Sequence, residues 1–219
     1  MKYVIIGPLI RVIFRPEVKG LRNVPKMGGA IVAGNHLSFL DQFVLALVLP
    51  RRITFIAKSD YFNQRGLKGR LMNAFFRAGG QIPVDRAGGA AANPALVAGK
   101  RVVTAGGLLG IYPEGTRSPD GRLYKGHTGV AKIALSARVP VIPCSISGTF
   151  EAMPPGRVIP RVRKISISFG DPCHFIGTSQ ADHVTLRQTA DAIMVAIGEL
   201  SDQQYVDRYA SEVKSEISA

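Results

Sequence analysis

Two side chains in the stretch Asn35-His36-Leu37-Ser38-Phe39-Leu40-Asp41 could do chemistry together. A histidine titrates near neutrality, and a carboxylate beside it can hold one ring nitrogen as N–H. The other nitrogen is then free to take a proton from a hydroxyl. The spacing constrains where they sit. On a continuous helix an offset of five turns the chain through roughly 500°, leaving the side chains about 140° apart. To touch, His36 must lie in a turn ahead of the helix that carries Asp41. Another reading of the same residues needs no chemistry: Ser38-x-x-Asp41 is a capping-box pattern, with Ser38 as N-cap, Asp41 at the third helical position and His36 bonded to backbone. Both readings stand on this stretch alone.

Further on, Glu114-Gly115-Thr116-Arg117-Ser118 has the parts of an anion site. Gly115 permits close backbone approach. Thr116 and Ser118 offer hydroxyls, and Arg117 offers a planar fork that matches a phosphate. Arg86 adds a second fork and Lys58 a third positive charge. A base for a hydroxyl together with a clamp for a phosphate points to a phosphorylated alcohol as substrate.

These residues are positioned by an alternation of elements. The apolar run Ala30–Ala33 ends in Gly34 and precedes a second run, Phe43–Leu49, which reads as strand, turn and helix. Strands are expected at 53–57, 81–84, 108–112, 141–146 and 164–169. Helices are expected at 61–77, from Asn93 as cap and Pro94 to Ala105, at 130–137 and at 183–200. Arg15 to Met27 reads as connector or edge strand, and Pro140 and Pro143 suit a sheet edge or strand end. The tail from Ser201 is polar and slightly acidic and reads as frayed helix. The fold class is α/β: a largely parallel or mixed central sheet flanked by helices, in one domain spanning 1–219 with its motifs between 30 and 170. His36/Asp41, Asp85/Arg86 and Glu114–Ser118 all follow strands, where ligands of such sheets bind.

The 219-residue chain carries a net charge of +13. Residues 1–110 hold 16 Lys and Arg against four Asp and Glu, so the positive charge lies in the first half. Such a half attracts polyanions. Nucleic acid is disfavoured, because there is no Trp, aromatics are 7% and no recognition motif is present. An anionic membrane surface fits better. Residues 1–14, apolar but broken by Pro8 and Arg11, suit an interfacial segment or equally a first core helix or strand. The basic amphipathic stretch 61–77 suits a second interfacial segment or equally an ordinary surface helix with its apolar stripe in the core. No apolar run reaches the roughly 18 residues that cross a bilayer. Cys144 and Cys173 make no disulfide framework, and the four histidines no metal-ligand pattern, so neither metal nor cofactor is expected. There is no GxSxG elbow, no phosphate-binding GKS/T loop, and Gly106-Gly107-x-x-Gly110 precedes a strand.

The motifs together resemble the glycerolipid acyltransferases of the 1-acylglycerol-3-phosphate (lysophosphatidic acid) type. The first block is Asn35–Asp41, a histidine and an aspartate with four residues between. Pro83-Val84-Asp85-Arg86, Tyr112–Ser118 and Val139–Pro143 follow in the family's order. The resemblance implies acyl transfer from acyl-CoA or acyl carrier protein to a free hydroxyl of lysophosphatidic acid, giving phosphatidic acid. It implies His36 as general base and Asp41 as its orienter. It implies Gly115, Thr116 and Arg117 on the acceptor phosphate, with Glu114 fixing the loop and Arg86 assisting. Another acceptor, such as glycerol 3-phosphate or a larger lysolipid, or a thioesterase or lipase using the same dyad on water, are the alternatives. A peripheral or monotopic protein on the cytoplasmic face of the cell membrane is the expected location.

Overall fold

The computed structural model describes residues 14–58, 81–84, 94–157, 159–177 and 180–218. The expected 61–77 helix, the Asn93 cap, Asp85, Arg86 and all but Phe14 of the 1–14 segment lie outside the described residues.

Nine strands are present among these residues: β1 (Glu17–Lys19), β2 (Ala30–Gly34), β3 (Ile53–Lys58), β4 (Gln81–Val84), β5 (Leu108–Ile111), β6 (Leu123–Tyr124), β7 (Val141–Ser147), β8 (Ser166–Phe169) and β9 (Tyr205–Val206). Six α-helices accompany them: α1 (Asp41–Val48), α2 (Pro94–Thr104), α3 (Gly129–Ala137), α4 (Thr149–Ala152), α5 (His183–Gly198) and α6 (Ala210–Ser218). Seven strands form one sheet in the order β1-β8-β7-β2-β5-β3-β4. Neighbours from β7 to β4 are parallel, β8 is antiparallel to β7, and β1 follows β8. The sheet is therefore mixed, with five strands running one way and an edge of two running back.

β2 is buried along its whole length. That is why its sequence is a continuous small-apolar run rather than an alternation. The pleat divides it. Ala30 and Val32 pack with Val44 and Leu45 of α1, while Ile31 and Ala33 pack with α2, α3 and α5 through Val103, Ile133 and Ile193.

Three sequence expectations are corrected. Pro143 lies inside β7, between β8 and β2, not at an edge. The missing N–H costs nothing there. It falls on the β8 side, where pairing with β7 starts only at Cys144, and Gly170 N–H reaches the Pro143 carbonyl instead (2.9 Å). The second correction is the tail from Ser201: its helix is present, but it is packed rather than frayed, and a short strand precedes it. β9 pairs with β6, and Ala210, Val213 and Val206 pack on the buried Tyr124. The apolar positions are too few to show as a stripe, and their partner lies some 80 residues earlier. The third, the Ser38 cap, is set by the site itself.

Candidate active site

The C-terminal ends of the parallel strands converge. After β2 the chain turns through Asn35–Leu40 into α1, and after β5 it turns through Tyr112–Ser118.

His36 Nδ1 lies 2.9 Å from Asp41 Oδ2. The same carboxylate oxygen accepts the backbone N–H of Leu37 and of Ser38, each at 2.8 Å. Asp41 is fully buried, while the His36 side chain keeps 16% of its surface exposed. A carboxylate holding Nδ1 as N–H leaves Nε2 as the acceptor, and His36 lines a cavity. His36 precedes the helix, as contact requires. Asp41, however, is the first helical residue rather than the third, and Ser38 does not cap α1. The reason is the grip of Asp41 on the two preceding N–H groups. It tightens 38–41 into a turn, closed by Asp41 N–H on the Ser38 carbonyl (3.2 Å). The Ser38 hydroxyl donates instead to the Met153 carbonyl (2.8 Å).

The two motif blocks are bonded to one another. Glu114, 1% exposed, accepts His36 N–H on Oε1 (2.8 Å) and Tyr124 N–H on Oε2 (3.0 Å). Ser118 N–H donates to the His36 carbonyl (2.7 Å). Both backbone groups of His36 are thus tied to the loop after β5. Burial pushes the Glu114 carboxyl up to about 8, against the opposing pull of its two N–H donors. Gly115 has φ +73, and a Cβ there would meet His127 Cδ2 at 2.9 Å, so no other residue fits without strain. Thr116 and Arg117 line the cavity beside His36.

Two residues sharpen the site without having been assigned a role from sequence. The Tyr112 ring stacks on His36 with centroids 4.0 Å apart and planes 8° from parallel. Phe55 stacks behind Tyr112 at 5.6 Å. Gly110 makes room for Phe55, since a Cβ there would lie 2.2 Å from the Phe55 ring. The imidazole plane is therefore set by a row of rings from β3 through β5. Asn35 does the same for the backbone. Its side-chain oxygen accepts Ile146 N–H (2.8 Å), and its amide donates to the Ile146 carbonyl (2.9 Å). Both residues sit inside the motif blocks, but type and spacing say nothing of a ring stack or a side-chain ladder.

The cavity has a volume of about 400 Å³, within the range of small-molecule sites. His36, Thr116 and Arg117 supply polar lining together with Gln42, Gln81 and His127. Phe55, Leu96 and Ile133 supply apolar wall. Lys58 ends β3 at this same end of the sheet, and Arg86 lies outside the described residues. Among the described residues, no three His, Cys, Asp or Glu side chains are grouped to hold a metal ion. Cys144 is buried, and burial pushes its thiol well up.

A family model described as Acyltransferase matches residues 15–147, which include every described site residue named above. Similar curated proteins are 1-acyl-sn-glycerol-3-phosphate acyltransferases. One is the chloroplastic BAT2 of Brassica napus, 33% identical over 65% of this chain and 40% of that one. Another is from Limnanthes douglasii, 31% identical over 75% and 56%. The human beta form is 32% identical over 59% and 45%. The chain spans roughly half the length of these relatives. Among solved structures, the 1-acyl-sn-glycerophosphate acyltransferase PlsC of Thermotoga maritima matches with a TM-score of 0.65 at 26% identity, over 86% of this chain and 73% of that one.

Proposed function

The chain belongs to the acyltransferase family, and on that premise we propose that it moves a fatty acyl group from acyl-CoA or acyl carrier protein to the free hydroxyl of lysophosphatidic acid. The observation that carries this reading is the joint between the two blocks. His36 is held at Nδ1 by Asp41 and at both backbone groups by the loop whose Thr116 and Arg117 line the same cavity.

The reaction follows from those parts. The acceptor phosphate binds Arg117 and Thr116, bringing its hydroxyl to Nε2 of His36. Nε2 takes the proton as the oxygen attacks the thioester carbonyl, and Asp41 stabilises the imidazolium. The C–S bond breaks, and the leaving thiolate takes the proton back from His36. A thioester is already activated, so no acyl-enzyme and no cofactor enter this scheme. Positioned base catalysis supplies about 10²–10⁴-fold of the rate.

Attachment to an anionic membrane, on its cytoplasmic face, is part of the proposal, since the acceptor carries an acyl chain and that leaflet is negatively charged. What supports it is the loop between α4 and β8. Arg157, Arg161 and Arg163 are exposed there alongside Ile159 (75%) and Val162 (68%). The loop leaves β7 at the end of the sheet that carries His36, and Phe14, where the N-terminal segment joins, is bonded to its far end through Ile165. Among the described residues, no helix is long and apolar enough to cross a membrane.

The test is transfer of a labelled acyl group, from both donors, to glycerol 3-phosphate, both lysophosphatidic acid isomers and larger lysolipids, in vesicles. A diacyl product from lysophosphatidic acid is expected. Free fatty acid released at a rate indifferent to acceptor would make the protein a thioesterase and discard the reading.

A further inference from the structure

The segment after α5 lies beyond the family match, yet it closes against the anion loop. β9 pairs with β6, Lys125 bridges Asp207 at 2.9 Å, and Tyr209 stacks on His127 with centroids 4.5 Å apart. His127 is the side chain that packs against Gly115. From α6, Lys214 Nζ donates to Thr116 Oγ1 at 2.8 Å. An ammonium only donates, so this bond occupies a lone pair of the hydroxyl and leaves the hydroxyl's own proton to point elsewhere. Thr116 lines the cavity. Lys214 itself is half-buried, near enough to Arg117 for the two charges to repel and to Glu114 for an opposing attraction.

We propose that Lys214 is a positioning residue of a phosphate-monoester site. It turns the Thr116 hydroxyl into a donor aimed at the bound phosphate and adds charge beside Arg117, so that residues 205–218 are part of the acceptor site. This rests on the acyltransferase reading and deepens it.

Lys214→Met keeps the aliphatic stem and removes the charge. The kcat and KM of wild type, K214M, K214R and T116V are to be measured with a short-chain lysophosphatidic acid, and the KM of the acyl donor alongside. Acceptor KM should rise about tenfold in K214M, as expected for one charge-assisted contact. The kcat and the donor KM should stay within about twofold, and K214R should recover part of the loss. T116V should raise the acceptor KM by less than K214M, because the Lys214 charge remains, and the double variant should be no worse than K214M alone by more than the lost hydroxyl contact. An acceptor KM unchanged in a K214M that melts like wild type would overturn the proposal. So would a fall in kcat alone. Should K214M fail to fold, T116V and K214R decide, because an acceptor KM unchanged in both overturns it equally. Calorimetric binding of glycerol 3-phosphate needs no turnover and separates the two readings. A wild type that transfers no acyl group but binds the phosphate, with K214M binding it more weakly, overturns only the reaction. A wild type that does not bind the phosphate, or a K214M that binds equally well, overturns the Lys214 assignment.

Discussion

The two halves of the site are built on different scales. The dyad is local: His36, Leu37, Ser38 and Asp41 lie within six residues and close around one carboxylate oxygen. The proposed anion side is assembled from distant pieces: Thr116 and Lys214, 98 positions apart, are bonded directly, and Tyr209 stacks on His127 beside them. A base must be oriented to within a fraction of an ångström of a proton, and a short rigid turn achieves that. An anion site needs positive charge and donors from several directions, which no single turn can supply. The dyad should therefore govern kcat and the anion side the acceptor KM.

His36→Ala gives the largest expected effect, a fall in kcat of about 10²–10⁴-fold with acceptor KM little changed. Single-turnover rates check this, and an equal loss in KM would blur the division. Arg117→Ala should do the reverse. Losing hydrogen bonds from a charged group costs about 1.5–3 kcal/mol, or roughly 10- to 150-fold in acceptor KM, read from steady-state kinetics.

Glu114 joins the halves, so its variant should be felt as stability. Glu114→Gln turns one acceptor into a donor facing an N–H, which costs roughly 1–3 kcal/mol in denaturant unfolding. It should also change the pH response. The folded chain ionises Glu114 at about 8, against an ordinary value of 4.5. Between these values the folded state holds a proton that the unfolded state has released. Stability from this group is thus complete below about pH 4.5 and lost as pH rises through about 8. In Glu114→Gln that downward slope should flatten. The smallest effect belongs to Tyr112→Phe. The Tyr112 hydroxyl is buried with no hydrogen-bond partner among the described residues, and the ring does the stacking. Activity should hold, and the melting temperature should stay or rise by the equivalent of up to about 1 kcal/mol.

This contrast of scales also decides what could be read from sequence. The strand–turn–helix around His36 was legible because apolar runs bracket a polar turn, and helical geometry placed His36 ahead of the helix as the condition for touching Asp41, without deciding whether it does. The Glu114–Ser118 loop was legible from its residue types. Ser38 misled because a capping box and a carboxylate gripping two upstream N–H groups share the same letters. Pro143 misled because a proline inside a sheet is tolerated wherever its neighbour's pairing happens to start one residue later. Lys214 and Tyr209 could not be read at all. Nothing in Ser201–Ala219 marks a helix destined for a loop 98 residues earlier.

The Asn35 amide has a practical corollary. Besides spanning the backbone of Ile146, it donates to Gln203 Oε1 at 2.6 Å. The turn that carries His36 is therefore moored to residues well past 147, where the family match ends. An expressed fragment trimmed to that boundary would strip β8 from β7 and lose one of the three Asn35 side-chain bonds, the one to Gln203. It would be expected to aggregate through the bared strand rather than fold into a smaller enzyme. The span of the family match here is shorter than the unit of folding.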